Sequence, residues 1–195
     1  MIHRHPAGRV IVSVLIALSL AMLDSERPMA AESGTSTMGI AVNACTLLSA
    51  DEISAIAHFE VESGVRNDSG EIRSGPYGGA YSTTCLWKAS EDREANDPRL
   101  PLGGARFVIL NVMSWPAGSL QAATFLQGFR EAAEDHTISG KPVALAIGDE
   151  SLWWGDGVAV RKGNTSYGVS VRSVNERSLE RQMEETLASK IVERL

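Results

Sequence analysis

The chain has 195 residues, of which 44% are hydrophobic and 22% charged, with a formal net charge of −6. That balance excludes a disordered or fibrous protein, and the length suits one ordinary domain better than two. The 18 Lys and Arg face 24 Asp and Glu and form no basic stripe, so neither nucleic acid nor an anionic lipid surface is an expected partner.

The chain opens with His3, Arg4, His5 and Arg9, and then runs apolar from Val10 to Leu23 until Asp24 ends the run. As a helix this run would be about 21 Å long, well short of the roughly 30 Å hydrocarbon core of a bilayer. A partly cationic start, a short apolar stretch and the small residues Ala30 and Ala31 make the pattern of a secretory signal peptide over residues 1–31. Met29 and Pro28 are not ideal before that cut, and Ser19-Leu20-Ala21 offers an earlier site, so an uncleaved anchor stays open as the alternative. No cysteine follows the run closely enough for lipid modification, and the twin-arginine pattern is missing. The expected location is therefore periplasmic or secreted, with no stable membrane span after signal cleavage. Residues 32–42 are small, polar and aperiodic, and are read as a flexible lead-in to a single domain over residues 43–195.

Beyond the signal segment the only cysteines are Cys45 and Cys85, and an even pair in an exported chain is expected to form a disulfide. A metal site would call for closely spaced ligands such as Cys-x-x-Cys, and no metal or other cofactor is expected.

Ser49-Ala50-Asp51-Glu52 is a capping box, and Ile53, Ile56 and Ala57 follow at helical spacing, so a short helix runs to about Phe59. Phe59, Val61 and Val65 are read as the beginning of a strand, and residues 66–79 as a Gly-rich loop. From Tyr81 to Ala89 the residues alternate, with Tyr81, Thr83, Cys85 and Trp87 on the core side. Residues 90–101 are a charged, Pro-containing excursion. Ala105 to Trp115 is apolar on both faces through its middle, which predicts a central strand covered on both sides. A helix from about Ser119 to His136 carries the stripe Ala122, Phe125, Leu126, Phe129 and Ala133. Val158 to Lys162 and Thr165 to Arg172 are predicted to form a hairpin about Gly163-Asn164, with positive φ values in the turn. A terminal helix from about Glu176 presents Leu179, Met183, Leu187, Ile191 and Leu195. This order predicts an α+β fold: an antiparallel sheet with helices packed on it, closed by one disulfide.

Three features taken together carry a resemblance. They are Cys45-Thr-Leu-Leu-Ser-Ala-Asp-Glu52 opening a helix, the Cys-x-Trp strand of Cys85 and Trp87, and Ile147-Gly-Asp-Glu150 before a hairpin and terminal helix. Over roughly residues 43–195 the chain resembles exported bacterial envelope proteins of unknown function, many of them actinobacterial lipoproteins. Their architecture is similar to that of the PsbP-like extrinsic proteins of photosystem II. The resemblance implies that fold and an envelope location; it implies no activity, because fold alone does not supply one. The chain departs from the lipoprotein members in lacking the lipidated cysteine.

No catalytic residues are assigned. His58 and His136 fall at helix ends, where the helix dipole alone favours them. Neither a Gly-x-Ser-x-Gly elbow nor a His-Glu-x-x-His pattern occurs. The acid pairs Asp51-Glu52, Glu134-Asp135 and Asp149-Glu150 suit solvated turns and helix ends, and a calcium site from Asp149, Glu150 and Asp156 lacks the spacing of a helix–loop–helix site. The segment from Gly148 to Gly157 is the one the fold does not absorb. If Leu152 to Trp154 is extended, Trp153 and Trp154 face opposite sides of the strand. An indole turned from the core beside Asp149 and Glu150 would suit a peptide, a sugar face or a cationic group. Trp153, Trp154, Asp149 and Glu150 are thus the candidate ligand- or partner-binding residues. The leading expectation is a non-catalytic envelope protein that binds a partner protein or a small ligand. The alternatives are a hydrolase acting on an envelope polymer through acidic residues, or a secreted enzyme inhibitor.

Overall fold

A computed structural model describes residues 41–90, 105–138, 140–173 and 177–195. The signal segment, nearly all of the lead-in, and the 90–101 excursion apart from Ser90 lie outside the described residues. The elements are α1 (Ala50–Ala57), β1 (Val65–Glu71), β2 (Tyr81–Lys88), β3 (Phe107–Ser114), α2 (Ala122–Glu134), β4 (Val143–Leu145), β5 (Glu150–Trp153), β6 (Val158–Lys162), β7 (Thr165–Arg172) and α3 (Arg177–Val192). The seven strands form one sheet in the order β1-β2-β3-β7-β6-β5-β4, antiparallel throughout. Two meanders, β1-β2-β3 and β4-β5-β6-β7, thus meet where β3 pairs with β7. The fold is α+β, with three helices on a seven-stranded sheet and the Cys45–Cys85 disulfide.

Alternation along the strands sorts the core into two layers. Cys85, Trp87, Val108, Leu110, Val112, Val158, Val160, Tyr167, Val169 and Val171 are buried on one face, together with Ile53 and Ala57 of α1 and Met183, Leu187, Ala188 and Ile191 of α3. On the opposite face Leu152 and Ala159 pack with Ala122, Phe125 and Leu126 of α2. The second face is covered chiefly near β5–β7, because α2 packs mainly over β6 and β7 and its core residues reach Leu152 of β5. On β3 this leaves Phe107, Ile109, Asn111 and Met113 half-buried, while Val108, Leu110, Val112 and Ser114 are buried. The expected two-sided burial of β3 is complete on one side only.

Local chemistry sets the element ends. Ser49 Oγ accepts the Glu52 N–H at 3.2 Å and Glu52 Oε2 accepts the Ser49 N–H at 3.1 Å, so the capping box forms. Glu52 also binds Arg194 beyond the end of α3, and this guanidinium holds the Glu52 carboxyl down at about 2. In the β6–β7 turn Gly163 has φ 59°, whereas Asn164 does not take a positive φ. Asn164 instead bonds Trp115 at both ends: its side-chain amide donates to the Trp115 carbonyl, and its carbonyl accepts the Trp115 N–H at 3.0 Å. One left-handed residue therefore suffices where two were expected.

Two expectations change. Residues 66–71, read as loop, belong to β1, and only 72–79 form the turn into β2. β1 lies at the sheet edge with nearly every residue exposed, so it carries no alternation of polar and apolar side chains to read. Val61 makes an isolated bridge to Ala89 just before it. The terminal helix is rotated from its expected stripe: Leu179 and Leu195 are exposed, while Glu180 and Glu184 are buried.

Candidate functional site

The Gly148–Gly157 segment builds β5 and the turn after it, and the structure separates its four candidate residues. Trp153 lies on the α3 side. Its Nε1–H donates to Glu184 Oε2 at 3.1 Å, and the Arg181 guanidinium covers the ring with Cζ 4.8 Å from its centroid. Trp154 lies on the α2 side, stacked on Phe129 at 4.5 Å between centroids, and Phe129 in turn meets Phe125 edge-on at 5.4 Å. Neither indole projects freely into solvent, since each is half-buried beneath a helix. Gly157 makes room for Trp154: a Cβ there would stand 2.5 Å from Trp154 Cη2, and against Ser170 Oγ as well.

The two acids are engaged in structure. Asp149 Oδ2 accepts the Gly163 N–H at 2.7 Å and pairs with Arg161 at 3.3 Å, which ties β5 to the β6–β7 turn. Glu150 pairs with Arg130 of α2 and stands 3.7 Å from Arg161. Asp156 pairs with Arg177, far from the other two in their bonding, so the three acids share no ligand set. Among the described residues no group of three or more His, Cys, Asp or Glu could hold a metal ion. His58 and His136 occupy left-handed positions at helix ends, with φ 60° and 57°.

What this segment does help to build is a cleft. Between the C-terminal end of α2 and the β4–β5 edge lies an open cavity of about 640 Å³. Its apolar lining is Ala133, Ile138, Pro142, Ala144 and Leu152; its ionisable lining is Arg130, Glu134, His136 and Lys141. Ala144 and Leu152 are cross-strand neighbours and so share the sheet face that α2 covers. Sequence reading pointed to the segment but missed the cleft. Its walls come from α2 and from β4, a three-residue strand too short to show a pattern.

A second feature was also missed. Glu184, with no exposed surface, accepts the Val171 N–H on Oε1 and the Trp153 Nε1–H on Oε2, both at 3.1 Å. Burial pushes its carboxyl up to about 7, against the two hydrogen bonds that favour the ionised form. Glu180, one turn earlier, accepts the Ser173 N–H at 2.6 Å and pairs with Arg177 at 2.6 Å. Both acids take core positions of α3, spaced one turn apart and adjoining Met183, Leu187 and Ala188.

Comparison of the chain with protein-family models, curated proteins and solved structures finds no match.

Proposed function

We propose that this domain is a non-catalytic, exported binding protein that takes a small ligand into the cleft between the end of α2 and the β4–β5 edge. The cleft carries this reading. Its volume of about 640 Å³ falls within the range of roughly 300–1,000 Å³ common for small-molecule sites, and it combines an apolar floor with a few polar groups. Asp149 and Glu150, the acids a hydrolase would need, are held in ion pairs with Arg161 and Arg130. Export is supported by the Cys45–Cys85 disulfide, which persists in oxidising compartments, and by the signal-like apolar run. No helix of the described residues is long and apolar enough to cross a membrane.

The test is native mass spectrometry of protein exported in a bacterial host and purified gently, beside the Ala133→Trp variant, whose indole would project from the cleft wall and narrow it. The wild type is expected to carry an added small-molecule mass that the variant lacks. An added mass retained equally by both would place the ligand elsewhere. A bare wild-type protein, crosslinking to one partner protein in extracts, would replace this reading with a protein-binding surface.

A further inference from the structure

We infer that the cleft selects ligands with an anionic carboxylate- or sulfonate-like head on an apolar body, an inference that rests on the cleft being the binding site. Arg130 carries the argument. It commits one terminal nitrogen to Glu150, and its other guanidinium N–H groups have no partner among the described residues. An arginine has five N–H donors in a rigid fork, and that fork matches a carboxylate. Glu150 therefore acts as a positioning residue: it anchors one arm of the fork and leaves the rest to face a ligand in the cleft that Arg130 lines.

Lys141 adds a second cation. It lines the same cleft, is exposed, and makes no ion pair among the described residues, and His136 nearby is likewise unpaired. Glu134 is the sole carboxylate among the described lining residues. With Glu150 counted, two cations and two acids balance at the cleft, so its attraction for an anion lies in the free N–H groups of Arg130 and the unpaired Lys141 ammonium rather than in a net charge. The floor of Ala133, Ile138, Ala144 and Leu152 offers an anion's hydrocarbon portion an apolar surface. A polyanion is disfavoured, because Glu134 and Glu150 would repel charge placed beyond the Arg130–Lys141 pair.

Two dyes with one aromatic skeleton test this. Anilinonaphthalene sulfonate carries a sulfonate, and N-phenyl naphthylamine is its neutral counterpart. Fluorescence titration of the wild type should show the anionic dye binding about tenfold more tightly, as one good charge-assisted contact provides. Arg130→Gln should bring the anionic dye to the level of the neutral one while leaving the neutral dye unchanged. Lys141→Gln, at an exposed position, should weaken the anionic dye alone by a few-fold, so the test survives if Arg130→Gln fails to fold. Equal affinities that neither variant alters, but that Ala133→Trp abolishes, would overturn the anion preference and leave cleft binding standing. Dye binding that Ala133→Trp does not alter, or no binding of either dye, would count against the cleft itself.

Discussion

Replacing both cysteines, as Cys45→Ala/Cys85→Ala, is expected to lower folding stability by about 4 kcal/mol, the chain-entropy value for a bridge of this span. The bridge joins residues 40 positions apart, linking the short 3-10 turn at Ala44–Thr46 to β2. Without it the turn would be held by the packing of Ala44, Leu47 and Leu48 in the core and by Thr83, whose Oγ1 accepts the Ala44 N–H at 3.3 Å and donates to the Val42 carbonyl at 2.7 Å. The two bonds contribute about 1 kcal/mol each, and the packing acts with or without the bridge, so neither replaces its restriction of the unfolded chain. Alanine is the right substitute because Cys85 has no exposed surface and a serine hydroxyl there would be desolvated. The packing is tight besides: a Cβ on Gly64 would stand 2.5 Å from Cys85 Sγ and 2.6 Å from Trp87 Nε1. Urea unfolding checks the magnitude, and a Tm lower by roughly 10–15 °C should accompany it for a domain of this size. A loss below about 1 kcal/mol would mean that the turn is held by its packing and hydrogen bonds rather than by the bridge.

The second large effect is a pH dependence centred on Glu184. Burial raises its carboxyl to about 7 in the folded protein, from 4.5 for a solvated glutamate, so folding favours the protonated form. The resulting stabilisation is fully present below pH 4.5 and is lost as pH rises through about 7, amounting to about 3 kcal/mol. The surroundings explain the direction. Trp153 and the Val171 backbone offer hydrogen bonds but no charge, Glu180 repels the ionised form, and Arg177, already paired with Glu180 and Asp156, attracts it only partly. Glu184→Gln keeps the shape and removes the titration. The stability of the wild type relative to Glu184→Gln should therefore fall by about 3 kcal/mol between pH 4.5 and 8. Carboxyl-carbon NMR reads the same group directly, and a titration midpoint near the ordinary glutamate value would contradict the assignment. Glu52 works in the opposite sense and in another window: Arg194 lowers its carboxyl to about 2, so its contribution is lost only as pH falls from 4.5 toward 2.

What could be read in the sequence follows from how much each segment is asked to bury. The Ser49–Glu52 capping box, the alternation of β2 and the β6–β7 hairpin are local patterns with one physical solution each, and all appear in the structure. β1 and β4 sit at the two sheet edges: exposure removes the apolar signal from β1, and β4, though apolar, is only three residues long and too short to show a strand pattern. Glu180 and Glu184 look like surface residues of an amphipathic helix. Their burial depends on partners distant in sequence, the Ser173 and Val171 N–H groups and the Trp153 indole. Alternation placed Trp153 and Trp154 on opposite sides of β5, but not the helix that covers each. The cleft needs α2, β4 and β5 together, and only the fold brings Arg130 to Glu150, 20 positions away.

Mapping amide chemical shifts during titration with anilinonaphthalene sulfonate tests the central claim, that the cleft is the binding site, most directly. The expected footprint covers Arg130 to Ile138 at the end of α2, Lys141 to Leu145 through β4, and Glu150 to Leu152 of β5. Shifts gathered instead on Trp153, Asp156 and the first turns of α3 would move the site to the opposite face of the sheet and contradict the assignment.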